Sequence, residues 1–434
     1  MFERRFSRVR WLDRILIRVG AVPRAKIQAA ATYAVTIRCV CRKLFLTPFA
    51  PQLHAWILYF LSEAAAKTGV IVHQITIEPN HIHLVATSVM ANMPIFKRLF
   101  HGEISKLVKW ALEQHGFEAP DRVFGDARSH QMRLVNAAAQ LLLLHYSDIQ
   151  VVKDGLVEKV EDYPGFTSDP GVMAGASKTL ERPPMKLDPR VWPEKSTLRF
   201  GMVPALDRLL GTEHTVYTLR KMREEAERAY AEKRKRPVLG ARRLLRQHPW
   251  AEPAAPRKKR KGPPPTFMVV DDDELQALCE KETRYFGDAH ESARKSRLRG
   301  EEAVFPAGTY LMKVQHNAPV EDPLDDAVLA VWETFEDMPS RMTAEERHAL
   351  TRVVRRYARE IDEEAMEDSL AVRLEATQES TVDRFESPKV STEGPDVPKK
   401  LVTLRTVGRP RAPDPSVQRD ARASDEPPDP TSDS

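Results

Sequence analysis

The chain runs to 434 residues with a net charge of +5, long enough for more than one domain and only mildly basic. No apolar run approaches the ~20 residues a membrane-spanning helix needs, and no Walker-type glycine-rich phosphate loop is present. Cys39, Cys41 and Cys279 form neither a CxxC pair nor an even set, which excludes a disulfide scaffold and fits a reducing cytoplasm.

Taken in chain order, the first thirty residues are a basic arm: Arg4, Arg5, Arg8, Arg10, Arg14, Arg18, Arg24 and Lys26, interleaved with Phe2, Phe6, Trp11 and Ile15. Charges interrupt every apolar run, unlike a signal peptide. The arm suits three readings: a strand lying along phosphates, a membrane-surface helix, or residues upstream of the true start codon. Tyr33 to Val40 reads as a first strand, with Cys39 and Cys41 expected on one face in the core. Pro51 to Lys67 has helical spacing at Leu53, Trp56, Ile57, Phe60 and Leu61, and Gly69 closes it.

Val70 to Glu78 is β-branched and alternating, and Pro79-Asn80 reads as a hairpin turn into a second strand that opens His81-Ile82-His83. The side-chain period of a strand is two, so both imidazoles leave the same face. Two neutral ring nitrogens on one face are ready metal ligands. On its own, such a pair is more often two half-buried histidines bonded to neighbours. A helix follows from about Met93 to Gln114, then a short strand near Arg122-Val123-Phe124.

The Ala/Leu-rich stretch Ala137 to Gln150 reads as a packed helix on which Tyr146 and Gln150, four apart, share a face. A phenol is a weak nucleophile at neutral pH, and a divalent cation that polarises phosphoryl oxygens compensates. Gln150 offers an amide oxygen suited to a hard cation, Mg2+ or Mn2+. The bland reading of Tyr146 is an ordinary buried tyrosine on an amphipathic helix.

A wider pattern bears on that choice. Pro79-Asn80-His81-Ile82-His83-Leu84 resembles the PNHxHL motif of the HUH single-strand transposases, specifically their REP-associated tyrosine branch in bacteria. That branch carries a helix end of the form Y-x-x-x-N-P-V-x-A-G-L-V and then an acidic-Tyr-Pro segment. Here the matching run is Tyr146-Ser147-Asp148-Ile149-Gln150-Val151-Val152-Lys153-Asp154-Gly155-Leu156-Val157, without a gap, followed by Glu161-Asp162-Tyr163-Pro164-Gly165. The resemblance extends to Val35-Thr36-Ile37-Arg38 and Phe45-Leu46-Thr47-Pro48, covering roughly residues 30 to 170. Two departures stand out: Gln150-Val151 replaces Asn-Pro, keeping a carboxamide, and Asp154 replaces a small residue. Related smaller transposases use glutamine at that position as a metal ligand.

The resemblance implies Tyr146 as nucleophile, His81, His83 and Gln150 as metal ligands, and a 5′-phosphotyrosine intermediate on single-stranded hairpin DNA. It implies a cytoplasmic, nucleoid-associated bacterial protein, monomer or homodimer, with no membrane partner. A second reading from a different class is a domesticated hairpin-binding protein that no longer cuts. The predicted order β-α-β-β-α-β plus a last helix gives an α+β class: a ferredoxin-like, split βαβ antiparallel sheet with helices on one face, which is also the HUH endonuclease fold.

Domain boundaries are expected at 1–30 for the arm, 31–170 for the catalytic domain, 171–265 for a charged helical extension and basic proline-rich linker, and 266–316 for a small further block. Leu219 to Arg236 is the extension's charged helix, and Arg257-Lys258-Lys259-Arg260-Lys261 opens the linker's Gly-Pro run. Arg38, Arg42, Lys97, Arg98, Arg257, Lys258, Lys259 and Arg260 are the candidate phosphate contacts. Residues 317–378 contain a mixed-charge, helix-compatible stretch from Thr343, expected to pack weakly. From Glu379 to the end, Pro, Ser, Asp and Glu dominate, a disordered composition in which Gly408-Arg409-Pro410-Arg411 resembles an AT-hook core.

Overall fold

A computed structural model of the chain describes residues 26–125, 129–253, 264–322, 343, 345–346 and 348–359, all within the first of its two units, residues 1–379. Most of the basic arm, the Arg257 to Lys261 run, the AT-hook-like tetrapeptide and the tail from Glu379 lie outside the described residues.

The first half alternates as the sequence predicts: β1 (Ala31–Arg38), α1 (Leu53–Thr68), β2 (Val70–Glu78), β3 (His81–Ser88), α2 (Met93–Gln114), β4 (His130–Leu134) and α3 (Ala137–Asp148). Local chemistry sets the ends. Gly69 takes the left-handed conformation that caps α1, at φ 66°, which a side chain would disfavour. Asn136 caps α3 by accepting from the Ala139 backbone N–H at 3.0 Å. After α3 come α4 (Gln150–Lys153), β5 (Phe166–Thr167), the hairpin β6 (Ser177–Glu181) and β7 (Lys195–Arg199), and the helices α5 (Pro204–Leu209), α6 (Thr212–Lys233) and α7 (Ala241–Leu244). Then follow β8 (Phe267–Met268), α8 (Asp273–Leu298) and α9 (Leu311–His316).

Among the described residues six strands form one mixed sheet in the order β5-β2-β3-β1-β4-β8, with β6 and β7 paired separately. The inner four, β2-β3-β1-β4, are antiparallel throughout and carry the interleaved crossovers of a split βαβ unit. β8 adds in parallel to β4, although 132 residues separate Leu134 from Phe267 in number only through the intervening chain.

Four expectations need correction. Helices cover both faces of the sheet, not one. Ile82, Leu84 and Ala86 of β3 belong to a cluster with α1 and α2, whereas Val85 joins Met132, Leu134 and the apolar side of α3 in a second cluster. Alternate residues of one strand are therefore buried against different layers. The fourth strand is His130–Leu134, not Arg122 to Phe124; Phe124 makes only an isolated bridge to Cys39. Cys39 is buried but Cys41 is exposed, because the strand has ended and Cys41 sits in a tight turn at φ 49°. Finally, Val354 and Ala358, within the helical residues 348–359, are buried in the second cluster, so that segment is not loosely packed.

Candidate active site

The hairpin β2–β3 builds the first half of the site. Its register sets Glu78 opposite His81 across the two-residue turn Pro79-Asn80, and Thr76 opposite His83. On the other side of β3, Arg38 pairs with His81 and Thr36 with His83. Directly opposed residues share a face, so Glu78, His81 and His83 project together. Their ligand atoms lie within 4.8 Å of one another.

The hydrogen bonding around them leaves lone pairs aimed inward. His81 Nδ1 lies 2.6 Å from Asn80 Oδ1, while the Asn80 amide N–H donates to the Arg42 carbonyl at 3.4 Å. With Asn80 Oδ1 able only to accept, His81 Nδ1 donates to it and leaves Nε2 to face the cluster. That Nε2 sits 2.6 Å from Glu78 Oε2, yet neither Glu78 oxygen has a hydrogen-bond partner, and Glu78 is 1% exposed. His83 Nδ1 lies 3.3 Å from Thr36 Oγ1, and its Nε2 also has no partner. Burial, reinforced by His81, Arg38, Lys153 and His130, holds the His83 imidazole well below its ordinary pKa, so it stays neutral. Two imidazoles, one of them held neutral, and a buried acidic side chain fit a divalent cation. At bond lengths of ~2.1 Å such an ion sets its ligand atoms roughly 3–4 Å apart.

The second half comes from α3. Thr76 Oγ1 donates to the Ser147 carbonyl at 2.8 Å, docking the helix end on β2 beside the cluster. The Tyr146 ring stands edge-on to His83, centroids 6.2 Å apart, and His83 in turn lies 4.7 Å from His81 by centroid. Tyr146 and Gln150 do not share one continuous helix: α3 stops at Asp148, Ile149 leaves helical geometry at φ −90° and ψ 3°, and Gln150 opens α4. What joins them is Lys153, which donates to the Tyr146 hydroxyl at 2.8 Å and to Gln150 Oε1 at 3.4 Å while lying 4.3 Å from the phenol ring centroid. Burial opposes its charge, but Tyr146, Asp154 and Glu78 outweigh that and hold its pKa above the ordinary lysine value.

The structure thus brings His81, His83 and Tyr146 together and links Gln150 to Tyr146 through Lys153, with Arg38 exposed on the adjoining strand and Arg42 half-buried behind the turn. Lys97 and Arg98 are on α2, in the layer beyond the opposite face of the sheet, and do not join the site. Arg257, Lys258, Lys259 and Arg260 lie outside the described residues. The sequence reading missed Glu78 and Lys153. The register of a two-residue hairpin could have exposed Glu78, and the seven-residue spacing from Tyr146, two helical turns, could have exposed Lys153. Tyr163 of the acidic-Tyr-Pro segment is structural: its hydroxyl donates to the Ile77 carbonyl at 2.7 Å, and burial together with Glu78 raises its pKa.

No protein-family model and no curated protein matches this chain. Among solved structures, one described as a REP-associated tyrosine transposase bound to a REP hairpin is similar at 17% identity, over 33% of this chain and 79% of that one, with a TM-score of 0.25. The functional question rests on the site. Among the described residues no helix is long and apolar enough to cross a membrane.

Proposed function

We propose that this chain is a divalent-metal-dependent tyrosine endonuclease and strand transferase acting on single-stranded hairpin DNA. The observation that carries the reading is the edge-on contact of the Tyr146 ring with His83 beside the Glu78, His81 and His83 cluster, in which Glu78 Oε1 and His83 Nε2 lack hydrogen-bond partners. In this reading residues 31–170 are the catalytic domain of a cytoplasmic, nucleoid-associated protein.

Glu78, His81 and His83 would hold the cation, with Gln150 beside them; the mixed nitrogen and oxygen set suits Mn2+ better than Mg2+. Once bound, it would polarise the scissile phosphodiester. Tyr146 Oη attacks phosphorus, forming the phosphotyrosine bond as the bond to O3′ breaks. The phenolic proton is lost to solvent, and O3′ takes one up. The Lys153 ammonium, already donating to the phenol oxygen, stabilises the charge that develops there. In the reverse step a 3′-hydroxyl attacks the same phosphorus, and Tyr146 leaves as a phenolate held by Lys153. The bond energy is retained, so rejoining needs no nucleoside triphosphate. Arg38, exposed on β1 next to His81, is placed to meet a backbone phosphate.

The test is incubation with labelled single-stranded hairpins from the DNA flanking the coding sequence, with Mn2+ or with excess EDTA, scored for a covalent protein–DNA band. A metal-dependent adduct is expected from the parent chain and none from Tyr146→Phe, which still binds the hairpin. Undiminished adduct from that variant, or robust cutting in EDTA, refutes the assignment. Binding without any adduct in the parent chain would instead favour the non-cutting hairpin binder.

A further inference from the structure

The extension beyond residue 180 packs against the turn that bears Gln150 and Lys153. Ala226 and Tyr230 of α6 share a buried cluster with Ile149, Val151 and Val152. Glu227 of the same helix accepts the Val160 backbone N–H at 2.9 Å. At the junction itself Arg223 grips Asp148, the last residue of α3, with a two-pronged pair: Nε to Oδ2 at 2.7 Å and Nη2 to Oδ1 at 2.5 Å. Its third nitrogen, Nη1, reaches Asp169 Oδ2 at 3.0 Å. The Asp148 side chain is wholly buried and that of Arg223 only 11% exposed.

This junction needs support from outside. A helix of four residues such as α4 is far too short to hold itself, and Ile149, at φ −90° and ψ 3°, departs from helical geometry between α3 and α4, with its N–H on the His145 carbonyl at 3.1 Å and its carbonyl on the Lys153 N–H at 2.9 Å as the backbone links across the junction. From the sheet side Thr76 holds the Ser147 carbonyl. From the outer side the forked guanidinium fixes the next residue in both position and orientation, because a bidentate pair defines a plane. Tyr146 lies two residues before that anchor, and Gln150 and Lys153 lie two and five residues after it.

We propose that Arg223 is a positioning residue: through Asp148 it sets the break between α3 and α4, and so the approach of Tyr146, Gln150 and Lys153 to the Glu78–His81–His83 cluster. The extension is then part of the catalytic apparatus rather than an appendage. This inference rests on Tyr146 being the nucleophile, and its consequence is kinetic. Displacing a reacting group by about 1 Å costs on the order of a hundredfold in rate, whereas binding of DNA and metal elsewhere is untouched.

Burial raises the Asp148 carboxyl above its usual range while Arg223 pulls it down, so removing only the arginine would strand a buried acid and could unfold the chain. The test therefore uses the full chain carrying D148N/R223M, which neutralises both partners at similar shape, alongside R223K and the control R220M. Arg220 pairs only with the half-exposed Asp169 at the surface. Single-turnover adduct formation on a labelled hairpin with Mn2+ is expected to fall about tenfold or more in D148N/R223M. Hairpin KM should stay within about twofold. R223K, which keeps the charge but not the fork, should lie between, and R220M should match the parent.

Amide hydrogen exchange should quicken over residues 147–153 in D148N/R223M with the inner strands unchanged. A parental maximal rate in both D148N/R223M and R223K, or unaltered exchange over 147–153, overturns the inference. If the parent forms no adduct, the nucleophile assignment falls, and the exchange measurement still decides whether Arg223 fixes the junction.

Discussion

Replacing Lys153 by methionine isolates one contact, the 2.8 Å hydrogen bond from its ammonium to the Tyr146 hydroxyl. A full phenolate at that distance would gain about 6 kcal/mol in an effective dielectric of ~20, which is a ceiling. In the transition state the oxygen carries only part of a charge, and water partly replaces a removed ammonium. Hydrogen bonds to charged groups, worth about 1.5–3 kcal/mol, therefore set the scale, and each 1.36 kcal/mol is tenfold in rate. K153M is expected to slow single-turnover adduct formation by ~10–150-fold, while K153R, which keeps a donor and the charge, loses less. The rate is read as the covalent band formed on a saturating labelled hairpin in Mn2+, with Y146F as the blank. Hairpin affinity, measured with Y146F and Y146F/K153M, should change little, since Lys153 faces the nucleophile rather than the open surface. A K153M rate within twofold of the parent's would show that the ammonium does not act on the reacting oxygen.

Glu78→Gln should weaken Mn2+ binding by at least ~10-fold by calorimetry, since it removes the one anionic ligand atom; equal affinity would exclude Glu78 from the set. Saturating Mn2+ at ~100 times its dissociation constant should add about 2.7 kcal/mol to the parent's stability, and H81A/H83A should abolish that gain in a melting experiment. Acid should unfold the chain early. His54 and His73 are buried and neutral, each with its pKa lowered by burial from 6.5 to about 4 despite backbone acceptors at Leu46 and Gly201. The unfolded chain takes up protons below pH 6.5 that the folded chain refuses. The stability present above that pH is thus lost as pH falls towards 4, by about 3 kcal/mol per histidine. Urea midpoints that stay flat between pH 7 and 4.5 would contradict this. Gly165→Ala should destabilise by ~1–3 kcal/mol, because its methyl would lie 2.5 Å from the Tyr163 ring and 2.7 Å from His54.

Much of this site was legible in the sequence because it depends on strand periodicity. His81 and His83 are two apart, and nothing but a strand was needed to put them on one face. The helix Met93–Gln114 was equally plain, since its apolar spacing repeats over many turns. β4 was not legible: His130-Gln131-Met132-Arg133-Leu134 has only two apolar residues, and its Arg133 is buried through contacts with Gln28 and Glu282 that lie far away in the chain. β8 is two residues long and exists because β4 offers it an edge. The covering of both sheet faces had a local sign that went unread. Val70 to Glu78 has six apolar or β-branched residues among its nine, and eight of the nine are buried, so both of its faces are covered.

Glu78 and Lys153 show why a site's charged residues are the hardest to read. A carboxylate at a strand end and a lysine on a short helix are ordinarily solvated, and neither has any local pattern to mark it otherwise. Their meaning is relational. Glu78 matters because a two-residue turn returns the chain in a register that sets position 78 opposite 81, and Lys153 matters because seven residues, two turns, bring it beside the phenol. The proposed ligands on the sheet are thus fixed by hydrogen-bonded register, while the proposed nucleophile and Lys153 sit at a junction braced from outside by Thr76 and Arg223. On the proposed reading, a change at α6 that alters none of the ligands or the tyrosine in sequence would still slow the chemistry, because it moves them.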